Sequence, residues 1–221
     1  LAFHGMSHFL KDVEVRNVTA VLDPSKAPIP TPTPPKPNEK VSLPNFFPDR
    51  LQVANVNLTL KGQPQDTVIK NLNLGLVPNR EGALRIDKLQ IPGVHTWTDV
   101  TATTTYANKN LYLHNLVLDQ DNKLELVNFD ASQMAQGKLG VQFKGTLSGG
   151  QVASKIEVTT AGTTYQTNTN VHAQDISLGK LAEYLGKSAG AFSGHVKNAD
   201  IDRQGPATQP ATWQRATTAH G

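Results

Sequence analysis

Two groups of residues have the types and spacing of metal ligands. His4 and His8 stand four apart, so on a helix they would share one face and could hold a zinc ion between them. Asp119, Asp121 and Glu125 are oxygen donors close enough together to suggest calcium. Neither group is complete. No third ligand stands near the histidine pair. The acidic stretch lacks the glycine and terminal glutamate of a helical calcium loop, so it reads as a hairpin turn with solvated acids. The remaining members of the 7 histidines are scattered, and no nucleophile, base and orienting acid form a local motif. No glycine-rich strand-to-helix loop offers a phosphate cradle. The expectation is a non-enzymatic chain without catalytic residues, metal or cofactor.

Bulk properties narrow the partners. Formal charge is +3, and the basic residues are dispersed singly, whereas a nucleic-acid surface would cluster them with exposed aromatics. Nucleic acid is therefore not expected as a partner. Cysteine is absent, which excludes disulfides and thiolate sites and suits either the cytosol or a bacterial envelope compartment. No apolar run approaches the roughly 20 residues of a membrane helix. The chain begins at Leu1 without a signal-like prefix, so it reads as a piece of a longer protein whose anchor lies outside it.

The elements that would position any site are strands with a shared irregularity. Leu111 and Leu113 alternate as on one strand face; His114 and Asn115 intervene; Leu116 and Leu118 resume one residue out of step. A one-residue slip would turn the second pair to the other face, and a β-bulge cancels it while bending the strand. Asn suits the slip because it tolerates left-handed backbone. Similar spellings occur at Val13, Val15, Asn17, Val18; at Leu51, Val53, Asn55, Val56, Leu58; and at Ile69, Asn71, Leu72, Leu74. Others are Leu84, Ile86, Leu89, Ile91, with Lys88 in place of Asn, and Leu124, Leu126, Asn128, Phe129. Looser copies run through Asp175 and Asn198. Irregular geometry is expected at Asn55, Asn71, Asn115 and Asn128. Short turns between successive strands predict an antiparallel meander.

Along the chain, residues 1–23 form a lead-in and first strand, and 24–49, which hold most of the 14 prolines, a loop or linker. Residues 50–213 form the sheet domain, and 214–221 a polar tail. The threonine-rich strands, Thr96 to Thr105 among them, are expected to have an exposed face and to be the weakest barrier to water. One helix, about 177–186, is capped by Ser177 and ended by Gly186. Its Leu178, Leu181 and Leu185 should bury against the sheet, with Lys180, Glu183 and Lys187 in water.

The run Asp175, Ile176, Leu178, Leu181, Leu185, then Gly190, Phe192, Gly194, His195, Val196, Lys197, and Gly205 with Pro206, resembles the AsmA-like family of bacterial envelope proteins, the AsmA/TamB/YhdP type. The strands Leu84 to Ile91, Leu111 to Leu118 and Lys138 to Ser148 look like its strand grammar. The resemblance covers Leu51 to Trp213 and omits the proline-rich insertion. It implies a periplasmic protein of a diderm bacterium, tethered to the inner membrane by a helix missing from this sequence. It also implies envelope-protein partners and a part in outer-membrane biogenesis or in phospholipid transport between the two membranes.

The fold expected is mainly β: a long, twisted antiparallel sheet curled into an open groove, with one short helix packed near the C-terminal part. Under the lipid-transport reading, acyl chains lie on Leu84, Ile86, Leu89, Ile91, Leu111, Leu113, Leu116 and Leu118. The same face could instead be a closed core. A reading from another class is a structural or adhesive β-module that binds a protein partner.

Overall fold

Alternating apolar residues with turn signals between them do assemble into one sheet. The computed structural model describes residues 12–23, 48–62, 65–161, 164–186, 193–206 and 214–220. His4, His8, most of the proline-rich stretch, Lys187, Gly190, Phe192 and Trp213 lie outside the described residues.

Thirteen strands form the sheet. They are β1 Asp12–Arg16, β2 Thr19–Leu22, β3 Arg50–Leu60, β4 Thr67–Leu76, β5 Glu81–Ile91, β6 His95–Ala107 and β7 Asn110–Val117. The chain continues with β8 Lys123–Asp130, β9 Lys138–Leu147, β10 Gly150–Ala161, β11 Thr164–Ser177, helix α1 Leu178–Tyr184, β12 His195–Pro206 and β13 Gln214–His220. From β3 to β13 each strand pairs antiparallel with the next, the meander that short turns dictate.

Two expectations about the ends require correction. The first strand is two, β1 and β2, broken at Asn17, and both run parallel to β3. A parallel return needs a connection of roughly a dozen residues or more, and the proline-rich stretch supplies that length. The supposed tail contains β13, paired to β12 from Gln204↔Gln214 to Asn198↔His220. Its Ala and Thr residues carry no apolar alternation, so only backbone pairing marks it as a strand.

The sheet is curled and not closed into a barrel. Tyr184, at the end of α1, stacks on His95 of β6 with ring centroids 4.5 Å apart. In strand order β6 and β11 are five steps apart, which on a flat sheet is about 24 Å, whereas Ser177 to Tyr184 rises only about 10 Å along a helix. The sheet must therefore curl to bring β6 under α1. At the other end the Tyr106 hydroxyl of β6 donates to the carbonyl oxygen of Pro48, just before β3, at 2.9 Å. One tyrosine reaches across three strand steps only because the sheet bends there too.

The bends sit where strand period slips. Asn55, Asn71 and Asn115 all have left-handed backbone, with φ of 54°, 50° and 51°. Asp99 and Asp175 do the same inside β6 and β11, and Asn17 between β1 and β2. Pairing of β3 with β4 shifts register around Asn55. Asn128 departs from expectation: it pairs regularly with Tyr112 and Gln142, and the shift in β8 lies between Leu124 and Leu126. The inward residues there are Leu124, Val127 and Phe129, so the extra residue precedes Val127 and the asparagine marks nothing.

Along the outer face the slips are joined by polar side chains. Asn55 Nδ2 donates to Asn17 Oδ1 at 3.0 Å, and the Asn55 and Asn71 backbone N–H groups donate to Asn73 Oδ1 and Asn57 Oδ1. Asn71 Nδ2 donates to Asp87 Oδ2 at 2.7 Å, which holds that carboxyl below the usual carboxylate range, with Arg85 adding to the effect. The ladder supplies bonds to amides that the bulges remove from the regular pairing.

Candidate functional site

Register defines the inner face strand by strand. Leu51, Val53, Val56 and Leu58 of β3 stand opposite Leu76, Leu74, Leu72 and Ile69 of β4. Ile69 and Leu74 then oppose Leu89 and Leu84 of β5. Leu84, Ile86, Leu89 and Ile91 oppose Ala102, Val100, Trp97 and His95 of β6. On β7, Leu111, Leu113 and Leu116 oppose Phe129, Val127 and Leu124 of β8. Leu118 continues past the end of β7 beside the turn, its N–H donating to the Asn122 carbonyl. The candidate leucines and isoleucines thus belong to two blocks of one apolar face, with β6 between them.

They differ in access. Ile86, Leu113 and Leu116 are buried in the core with Trp97, Val100, Ala102, Leu124, Val127 and Val152. Leu84, Leu89, Leu111 and Leu118 are half-buried against that core, and Ile91 is 37% exposed. The middle of the face packs on itself, and its margins stay open.

β6 overturns the expectation for threonine-rich strands. Thr104 is 1% exposed, as is Val100, and Trp97, Ala102 and Tyr106 are buried with them. The Thr104 hydroxyl donates to the Gly75 carbonyl oxygen at 2.7 Å, reaching from β6 past β5 to β4. Gly82 of β5 opposes Thr104, and a Cβ there would strike the Gly75 carbonyl and the Thr104 hydroxyl. A hydroxyl with a buried acceptor belongs inside the curl; the outward threonines of the same strand, such as Thr101, are the exposed ones. Sequence reasoning missed Trp97 and Val100. The signal was present: they stand three apart around Asp99, another slip.

α1 closes one end. Ser177 caps it, its hydroxyl accepting from Lys180 N. Ala182 is the buried residue, Leu178 and Leu181 are half-buried, and Leu185 is 41% exposed, against the expectation that it docks. The helix ends at Tyr184, so Leu185 falls past its last turn and Tyr184 takes the docking role. The Tyr184 carbonyl accepts from His95 Nδ1 at 3.0 Å, its ring stacks on His95, and Trp97 lies 5.8 Å away. Burial pushes the Tyr184 hydroxyl up to about 12. The Trp97 N–H opposes that shift but does not reach hydrogen-bond geometry and is left buried without a partner.

Beside α1 is a shallow recess of about 440 Å³ bordered by His95, Asp119, Asp121, Lys180 and Tyr184. Asp119 is engaged: its Oδ1 accepts from the backbone of Asp121 and Asn122 and from Asn122 Nδ2. Glu125 pairs instead with Lys144 of β9 at 3.3 Å. The acids considered for calcium therefore do not converge. Among the described residues no helix is long and apolar enough to cross a membrane.

No family model, curated protein or solved structure matches this chain.

Proposed function

We propose that this chain is a segment of an AsmA-like envelope protein that holds phospholipid acyl chains in its curled sheet, in transport between inner and outer membrane or in outer-membrane biogenesis. It would work in the periplasm, tethered to the inner membrane by a part outside this sequence and meeting other envelope proteins. The observation that carries the reading is the inner face itself. Leu84, Leu89, Leu111 and Leu118 are half-accessible along the margins of a continuous aliphatic floor in an open sheet. Each methylene buried on such a floor gains about 0.8 kcal/mol, and carrying a chain along it requires no catalytic group.

The test places a photoreactive residue at Leu89 or Leu118 in the 221-residue chain and seeks cross-linked lipid after expression in a diderm bacterium. Lipid adducts at these positions are expected. Leu111→Asp should abolish them, because an unpaired carboxylate is costly among acyl chains, while the exposed change Lys138→Asp should leave them. Leu113 and Leu116 are unsuitable for the charge, since both lie in the core and the variant would unfold. Folded protein that captures no lipid at any marginal position would overturn the proposal. Burial of Ile86, Leu113 and Leu116 favours the second reading to that extent: a structural or adhesive β-module whose inner face is its own core, with a protein partner elsewhere.

A further inference from the structure

The inner face carries no formal charge at any described strand position from β1 to β11; on β12 it carries one. Val196, Ala199 and Ile201 oppose Ile176, Ala173 and Val171, and the next inward residue, Arg203, opposes Thr169. The acids of β12 are turned the other way and engaged. Asp200 accepts from His172 at 2.7 Å, and Asp202 from Asn170 at 2.6 Å. Arg203 is half-buried and has no carboxylate partner among the described residues. Its flanking residues on β11, Thr167 and Thr169, are uncharged, and Thr167 is 5% exposed. The register then sets Arg215 of β13 directly opposite Arg203.

Like charges directly opposed on one sheet face repel, and a guanidinium beside an apolar floor lacks a counter-charge. A bound oxyanion relieves both. The planar guanidinium fork matches two oxygens of a phosphate, which a single ammonium does not.

We infer that Arg203, with Arg215 opposite it, forms a phosphate-binding site at the C-terminal margin of the inner face. The phosphate is either that of a phospholipid headgroup, whose acyl chains lie on the aliphatic floor, or a free phosphate. The headgroup source rests on the acyl-chain reading above; the free source does not.

The experiment uses the 221-residue chain, wild type and with Arg203→Gln or Arg203→Lys, each checked by circular dichroism. Native mass spectrometry measures capture of dioleoylphosphatidylglycerol and of dioleoylglycerol, which have the same chains with and without a phosphate. NMR follows the Arg203 Nε–H signal during titration with inorganic phosphate. We expect Arg203→Gln to weaken capture of the phosphatidylglycerol roughly tenfold, the scale of one charge-assisted contact, and to leave the diacylglycerol unchanged. Arg203→Lys should lose less. Phosphate that shifts the Arg203 signal, with neither lipid captured, supports the site with a free phosphate while removing the acyl-chain reading. Equal capture of both lipids by wild type and Arg203→Gln, with an Arg203 signal unmoved by phosphate, overturns the site and leaves the acyl-chain reading intact. Preference for the phosphatidylglycerol that survives Arg203→Gln also overturns it.

Discussion

Strands β3 to β8 and strands β9 to β12 follow the same meander but keep their inner faces in different ways. In the first group the period slips at Asn55, Asn71, Asp99 and Asn115, and pairing is interrupted or shifted beside these residues. In the second, β9–β10 and β10–β11 pair without interruption, from Gly150↔Leu147 to Thr159↔Lys138 and from Gln151↔Gln174 to Ala161↔Thr164. The core follows the slips: of its buried members, only Val152 comes from beyond β8. A bulge adds local twist and bend, so the slipped strands wrap their aliphatic residues around one another. The straight strands carry Ser154, Thr167 and Thr169 on the same face and contribute little to the core. Curvature, and not apolar content alone, decides where a one-sheet protein becomes dry.

The largest expected effect tests that division. Leu113→Ala in the slipped half should cost about 2 to 5 kcal/mol in chemical denaturation, and Ile156→Ala, half-buried in the straight half, clearly less. Equal costs would break the comparison. Next, Thr104→Val leaves the buried Gly75 carbonyl without its donor and should cost about 1 to 3 kcal/mol. Gly82→Ala should disturb the same contact from the other side by forcing a Cβ between the two partners.

The slips themselves come third. Asn115→Ala should lose about 1 to 2 kcal/mol from the left-handed backbone, while Asn115→Gly should lose markedly less. Asn128→Ala has no such backbone cost, which separates the two asparagines that the sequence spells alike. The smallest effect concerns α1, where Ser177→Ala removes the cap at a cost of about 1 kcal/mol. Tyr184 reports its docking. Its folded pKa is raised to about 12 from an ordinary value of about 10, so its contribution is full below pH 10 and is lost as pH rises towards 12. Ultraviolet titration should show this high ionisation in the wild type and a lower one where α1 is undocked.

The repeated slip made the fold class, the single apolar face and the helix legible, because period and caps are local signals. Asn55, Asn71 and Asn115 lie where the alternation of leucines and valines requires an extra residue. Asn128 misled because a residue type was trusted over the spacing of Leu124, Val127 and Phe129. The burial of Thr104 could not be seen locally: it depends on Gly75 and Gly82 being brought beside it by two hairpins. Leu185 failed for a similar reason, since helical spacing says which residues share a side but not where the last turn ends. At the candidate site the leucines could be named, whereas their division into core and margin depends on the curl.

The parallel pairing of β1 and β2 with β3 has a kinetic consequence. Every later pairing joins neighbours in sequence, as at Leu147↔Gly150, while Asp12↔Arg50 and Leu22↔Leu60 close a far longer loop. With each doubling of loop length adding about 0.6 kcal/mol of closure entropy, that edge starts about 2 kcal/mol behind a hairpin. The meander can zip from any turn, but the N-terminal edge must wait for β3 to be in place. The last strands to join would then be the first to open, and amide exchange at Asn17 and Asn57, whose N–H groups bridge β3 and this edge, should run ahead of exchange in β6.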